Sequence, residues 1–134
     1  MQAVGDTQTD PSARSIFVIA EHALAKDTTV LSVEGDLDLA TAPDLKWALG
    51  DLQASGARHV VVDLAKVSFI DSTALGVLVG AQRALDHGVR MAVACKDENV
   101  LRIFELTGLD CMFEIVATLD EAVEYVQGRT TAAG

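Results

Sequence analysis

Short β-branched runs alternate along this chain with longer segments in which apolar residues recur every three or four positions. The first pattern predicts strands and the second helices, because side chains repeat every two residues along a strand and every 3.6 around a helix. Ser15 to Ala20 and Thr28 to Val33 read as two strands separated by a polar turn around Lys26 and Asp27. An acidic loop, Gly35 to Ala40, leads to a helix opened by Thr41 with Pro43 in its first turn and Asp44 three residues on, a capping-box-like start. Leu45, Ala48, Leu49 and Leu52 form its apolar stripe, and Gly56 stops it. Arg58 to Leu64 carries Val60, Val61 and Val62 in a row, as suits a strand covered on both faces. A second helix is expected from Ser72 to Asp86 with Gly88 as its stop, then a strand from Arg90 to Cys95. A third helix from Glu98 to Leu106 stops at Gly108, a last strand runs from Met112 to Val116, and Thr118 to Glu121 caps a final helix.

The order ββαβαβαβα implies an α/β domain with a mixed, mostly parallel sheet of about five strands and four helices, antiparallel only at its first hairpin. A single domain is expected over residues 15–127, with flexible segments at 1–14 and 128–134. In such a sheet the loops following the strands emerge at one edge, the usual place for a ligand or partner. Gly35 to Ala40 and Val67 to Asp71 would meet there and bring Asp36, Asp38, Asp71 and Ser72 together.

Charge narrows the choice of partner. The 134 residues carry 20 Asp plus Glu against ten Lys plus Arg, a formal net charge of −10. Such a surface repels nucleic-acid phosphates and anionic lipid heads, so neither nucleic acid nor membrane is expected as a partner, and basic patches on other proteins are. No apolar run approaches the roughly 18 residues of a membrane span, and Met1 to Ser15 is polar with no apolar signal core, so a cytoplasmic location is expected.

The most informative window is Phe-Ile-Asp-Ser-Thr-Ala-Leu-Gly-Val-Leu-Val-Gly at 69–80. Ser72 stands where a loop becomes a helix, where unpaired N–H groups and the helix dipole favour negative charge. It is a candidate phosphorylation site; the plainer reading is that Asp71 or Ser72 simply caps the helix. At about 100° per residue, Ala74, Val77, Leu78, Ala81 and Leu85 fall in one arc, and Ser72, Gly76, Val79, Gly80 and Arg83 on the other side. Two glycines on an exposed helical face each cost roughly 0.5–1 kcal/mol relative to alanine. They suit either a smooth docking surface beside Ser72 and Thr73, with Val79 as apolar contact and Arg83 as rim charge, or packing under a neighbouring loop.

Nothing in the sequence points to an enzyme or a cofactor. It has no glycine-rich phosphate loop and no catalytic triad, and His22, His59 and His87 are scattered without metal-ligand spacing. Asp63, closing the Val-Val-Val strand, raises the alternative of a two-component receiver, although only Glu21 follows the first strand and no lysine follows Met112. Cys95 and Cys111 read as reduced. They sit at opposite ends of neighbouring strands, roughly 16 Å apart, beyond the reach of a disulfide.

The Gly-Asp-Leu-Asp-Leu-Ala-Thr-Ala loop at 35–42, the Val-Val-Val-Asp-Leu strand, the stretch Val67 to Gly80 and the Leu-Thr-Gly-Leu end of Val100 to Leu109 together resemble the STAS-domain anti-sigma factor antagonists. The resemblance covers about 30 to 126, nearly the whole domain. It implies that Ser72 is phosphorylated with ATP by a partner anti-sigma factor, itself a GHKL-type serine kinase, and restored by a PPM-type serine phosphatase. It implies that Asp36 and Asp38 contact the kinase, that Asp71 is the acidic residue before the phosphosite, and that Gly76 and Gly80 are family glycines. The partner-binding set is then Asp36, Asp38, Asp71, Thr73, Gly76, Val79, Gly80 and Arg83. The chain departs from the family in having Ala74 where glycine is usual and Asp36 where many members carry glutamate. A scaffold subunit of a larger signalling assembly and a small-ligand sensor are further readings of the same fold.

Overall fold

The computed structural model describes residues 16–25, 27–56 and 58–128. Apart from Gly128, the segments expected to be flexible lie outside the described residues. Five strands form one sheet: β1 (Val18–Ala25), β2 (Thr28–Glu34), β3 (His59–Lys66), β4 (Met91–Ala94) and β5 (Glu114–Val116), in that spatial order. β1 pairs antiparallel with β2, and every later pair is parallel. The helices are α1 (Ala42–Ala54), α2 (Ser72–Arg83), α3 (Glu98–Thr107) and α4 (Leu119–Val126), with a 3-10 turn at Leu109–Cys111. The sheet is the expected mixed one with four crossing helices. Its consecutive strand order and antiparallel first pair differ from the 2-1-3-4-5 order of flavodoxin-like folds, which removes the receiver reading of Asp63.

The valine run of β3 shows why the layers form. Val60, Val62 and Leu64 join Leu31, Val33 and Val93 in a cluster closed by α1, α2 and α3. Val61 points the other way, into a smaller cluster with Val30, Ala92 and Ala94 beneath Ala122 and Val126 of α4. Three helices therefore cover one face and α4 the other, and each fully buried Leu or Val contributes about 1.5–3 kcal/mol. Phe104 of α3 meets Phe113 edge-on, ring centroids 5.8 Å apart, and closes the core below β5.

Three local expectations need correction. β1 spans Val18–Ala25 rather than 15–20, and Ala25 pairs with Thr28; Lys26 is outside the described residues. Glu21 and His22 look polar enough for a loop, but on an edge strand their side chains face solvent. α2 ends at Arg83, not Asp86, with Ala84 as its C-cap. Thr41 forms no capping box: its side chain makes no cap hydrogen bond, and Asp38 shapes the entry to α1 instead.

Candidate partner-docking site

The two loops at the strand edge are stitched by backbone. Gly35 turns the chain out of β2 at a φ of +113°, and a Cβ there would sit 2.5 Å from the Ile16 carbonyl oxygen, so only glycine fits. The Leu37 N–H donates to the Phe69 carbonyl at 2.9 Å, and the Asp71 N–H donates to the Leu37 carbonyl at 3.0 Å. Leu37 and Ile70, both buried, form a one-residue parallel bridge. The expected meeting of Asp36, Asp38, Asp71 and Ser72 at one edge is therefore built into the backbone.

Within the acidic loop the Asp38 carboxylate is spent on the backbone. Asp38 Oδ1 accepts from the Ala40 and Thr41 N–H groups at 3.0 and 3.1 Å. Thr41 Oγ1 accepts from the Asp38 N–H at 2.9 Å and donates to the Asp36 carbonyl at 2.8 Å. Asp38 and Thr41 thus hold the loop's shape.

At the start of α2, Asp71 is the N-cap, its carboxylate accepting from the Ala74 N–H at 3.0 Å. The plainer reading of this window therefore holds for Asp71, and it leaves Ser72 unencumbered. Ser72 is the first helical residue and exposed, and among the described residues nothing hydrogen-bonds its hydroxyl. Thr73, Gly76, Gly80 and Arg83 share the exposed side. Nothing lies within 4 Å of a Cβ built at Gly76 or Gly80, which overturns the idea that they pack under a loop. The helical wheel errs at its margins: Leu75 is buried, Val77 only half so, and Val79 is half-buried against the core edge rather than fully outward.

Other candidates lie apart. Asp63 is half-buried on β3 and accepts from the Ala65 N–H at 3.0 Å. Among the described residues no group of three His, Cys, Asp or Glu side chains could hold a metal ion. Cys95 is buried just after β4, where burial pushes its thiol pKa up, and Cys111 is exposed in the turn before β5; both are free thiols. No helix among the described residues is long and apolar enough to cross a membrane.

Sequence reasoning missed the apolar exposure on α1 and its neighbouring loops. Leu39 and Trp47 are each 72 % exposed and Phe69 is 48 % exposed. The signal was present for Trp47, which falls on the far side of α1 from the Leu45, Leu49 and Leu52 stripe.

A mixed sheet with an acidic loop pinned beside an exposed serine at a helix start defines the class: the STAS domain profile matches residues 20–122, and the chain belongs to the STAS-domain anti-sigma factor antagonist family. Among its relatives is the anti-sigma-F factor antagonist RsfB of Mycobacterium tuberculosis, 32% identical over 110 residues that cover 82% of this chain and 88% of that protein. The anti-sigma-B factor antagonist of Staphylococcus aureus is 34% identical over 86 residues, 63% of this chain and 80% of the relative. The crystal structure of an anti-sigma factor antagonist from Mycobacterium paratuberculosis superposes with a TM-score of 0.79 at 30% identity, covering 84% of this chain and 95% of that one.

Proposed function

We propose that this protein docks on an anti-sigma factor in the cytoplasm, releasing a sigma factor, and is switched off by phosphorylation of Ser72. The observation that carries the reading is the division of labour at the start of α2. Asp71 satisfies the helix, and the Ser72 hydroxyl faces solvent without a hydrogen bond among the described residues. The printed roles of the relatives, antagonists of anti-sigma-F and anti-sigma-B factors, support the choice of partner.

In the unphosphorylated form Ser72, Thr73, Gly76 and Gly80 give a surface on which a partner backbone can approach closely, with Arg83 at its rim and Val79 at the core edge. The partner, acting as a GHKL-type serine kinase, transfers the terminal phosphoryl group of ATP to Ser72 Oγ; the hydroxyl proton leaves and ADP is released. Ser72 is a substrate and performs no catalysis. The new group adds roughly −1.5 to −2 charges beside Asp36, Asp38 and Asp71. A docked partner would bury that charge unpaired, at a cost of several kcal/mol. Because about 1.4 kcal/mol is a factor of ten, affinity falls by about a hundredfold or more without refolding. A PPM-type serine phosphatase resets the switch by hydrolysing the phosphoester.

The test is incubation of the full chain with ATP and each purified anti-sigma factor of the source organism, followed by phosphopeptide mapping. Label on Ser72, absent from Ser72→Ala, is expected. Label confined to Thr73 or to Asp63, or none with any of these factors, would refute the reading.

A further inference from the structure

α1 and α2 enclose an open groove, and its two ends differ. Over α2 it passes Thr73, Gly76 and Gly80, faced by Gly50 and Gln53 of α1. Past Thr73 and Val77 it widens into a basin of about 700 Å³ walled by Leu39, Pro43 and Trp47. Lys46, Gly50, Thr73 and Val77 line both ends, so the basin is continuous with the face that begins at Ser72.

The basin does little for the fold. Trp47 and Leu39 keep 72 % of their surface in water, although an indole has some of the largest apolar area any side chain can bury. Exposed aromatic residues beside a cleft are the side chains that dominate binding energy once a partner excludes water from them. On α1, Trp47 is flanked along one face by Asp44 three residues before it and Asp51 four after it, both exposed. Asp36 and Asp38 lie in the loop that leads to Leu39. Asp44 and Asp51 line a separate hollow with Trp47, Ile19 and Glu21, and the charged side chain lining the basin itself is Lys46.

Net charge decides between occupants: a second copy would bring together two chains that each carry a net −10. The chain's own residues 1–15 hold no aromatic, leucine or isoleucine side chain to fill the basin. The geometry points to an apolar side chain of the anti-sigma factor as the occupant, with Trp47 as its anchor. This rests on the docking reading above and extends the interface from α2 across the groove onto α1. Affinity then resides mainly in the Trp47 basin, and control resides at Ser72 on its edge.

Trp47 is the chain's one tryptophan, so 5-fluorotryptophan places a single 19F reporter in the basin. The full chain is titrated with the purified anti-sigma factors of the source organism, in parallel with Trp47→Ala, Trp47→Phe, Leu39→Ser and, on α4 across the sheet, Asp120→Asn. The expected results are a shifted 19F resonance on binding, a loss of about tenfold or more for Trp47→Ala, a smaller loss for Leu39→Ser, and near-parental affinity for Trp47→Phe and Asp120→Asn. Trp47 is exposed, so unchanged melting of Trp47→Ala is the accompanying control. Parental affinity in Trp47→Ala, with Ser72→Asp still weakened, would overturn this inference and leave the Ser72 reading standing. A 19F shift that instead follows the chain's own concentration, with a doubled sedimentation mass, would assign the basin to a second copy and overturn it. Failure of the parent chain to bind any of these factors would overturn both.

Discussion

Removing the carboxylate of Asp71 isolates the cap from the switch. Asp71 Oδ1 is 3.0 Å from the Ala74 nitrogen, and Ala74 is completely buried, so water cannot readily replace the lost acceptor. An N-cap Asp→Ala change costs about 1 kcal/mol, and loss of a negative charge at a helix N-terminus adds about 0.3–1 kcal/mol. Asp71→Ala should therefore destabilise by about 1.5–2 kcal/mol, whereas Asp71→Asn keeps an acceptor and should lose only the charge contribution, about 0.3–1 kcal/mol. For a domain of this size the first change lowers Tm by roughly 5 °C and the second by about half of that or less. Thermal and urea unfolding, followed by circular dichroism, would measure both. An Asp71→Ala chain that melts with the parent would mean that Ser72 or solvent holds the helix start, and the argument that Ser72 is left unencumbered would fail.

Gly76→Ala and Gly80→Ala each place a methyl group in open space on a helix, so each should stabilise by about 0.5–1 kcal/mol, read as a rise of about 2–3 °C in Tm, while weakening partner binding. A rise in Tm with undiminished affinity would remove these glycines from the interface. Thr41→Val deletes a hydroxyl that both donates to the Asp36 carbonyl and accepts from the Asp38 N–H; a loss of about 1–2 kcal/mol and faster hydrogen exchange at Asp38 are expected, and parental exchange would show that the loop holds itself. Burial, reinforced by the Arg58 and Arg90 charges and opposed by Asp27, lowers the pKa of His59, whose Nδ1 accepts from the Arg90 N–H at 3.0 Å. The unfolded chain then binds the proton more readily, so this contribution is complete above a pH of about 6.5 and is lost as pH falls through the lower folded value. The urea midpoint of the parent should drop further between pH 7.5 and 5.5 than that of His59→Asn, which keeps an acceptor and cannot titrate; equal drops would exclude His59.

Much of this domain was legible because its strands and helices obey different periods. Val60 to Val62 announced a strand covered twice, and Gly108, at a φ of +77°, ended α3 where the sequence placed the stop. Thr118 and Glu121 formed the complete capping box at α4. Thr41 carried a similar signature and spent its hydroxyl on the preceding loop, accepting from the Asp38 N–H and donating to the Asp36 carbonyl. Local sequence cannot decide between two such uses of one hydroxyl. β1 was misplaced because an edge strand tolerates Glu21 and His22, which hide its period. The candidate site was read from Asp71, Ser72 and the two glycines, all on the first three turns of α2 or its cap. The basin was not, since it needs α1 and α2 brought side by side, and only the misplaced Trp47 hinted at it.

The most direct test of the account is the affinity of one anti-sigma factor for the chain with and without a phosphoryl group on Ser72, measured by calorimetry on stoichiometrically modified protein. The unmodified chain should bind at least about a hundredfold more tightly, with the two forms melting within a few degrees of each other. Equal affinity for both forms would contradict the claim that charge at this helix start keeps the surfaces apart.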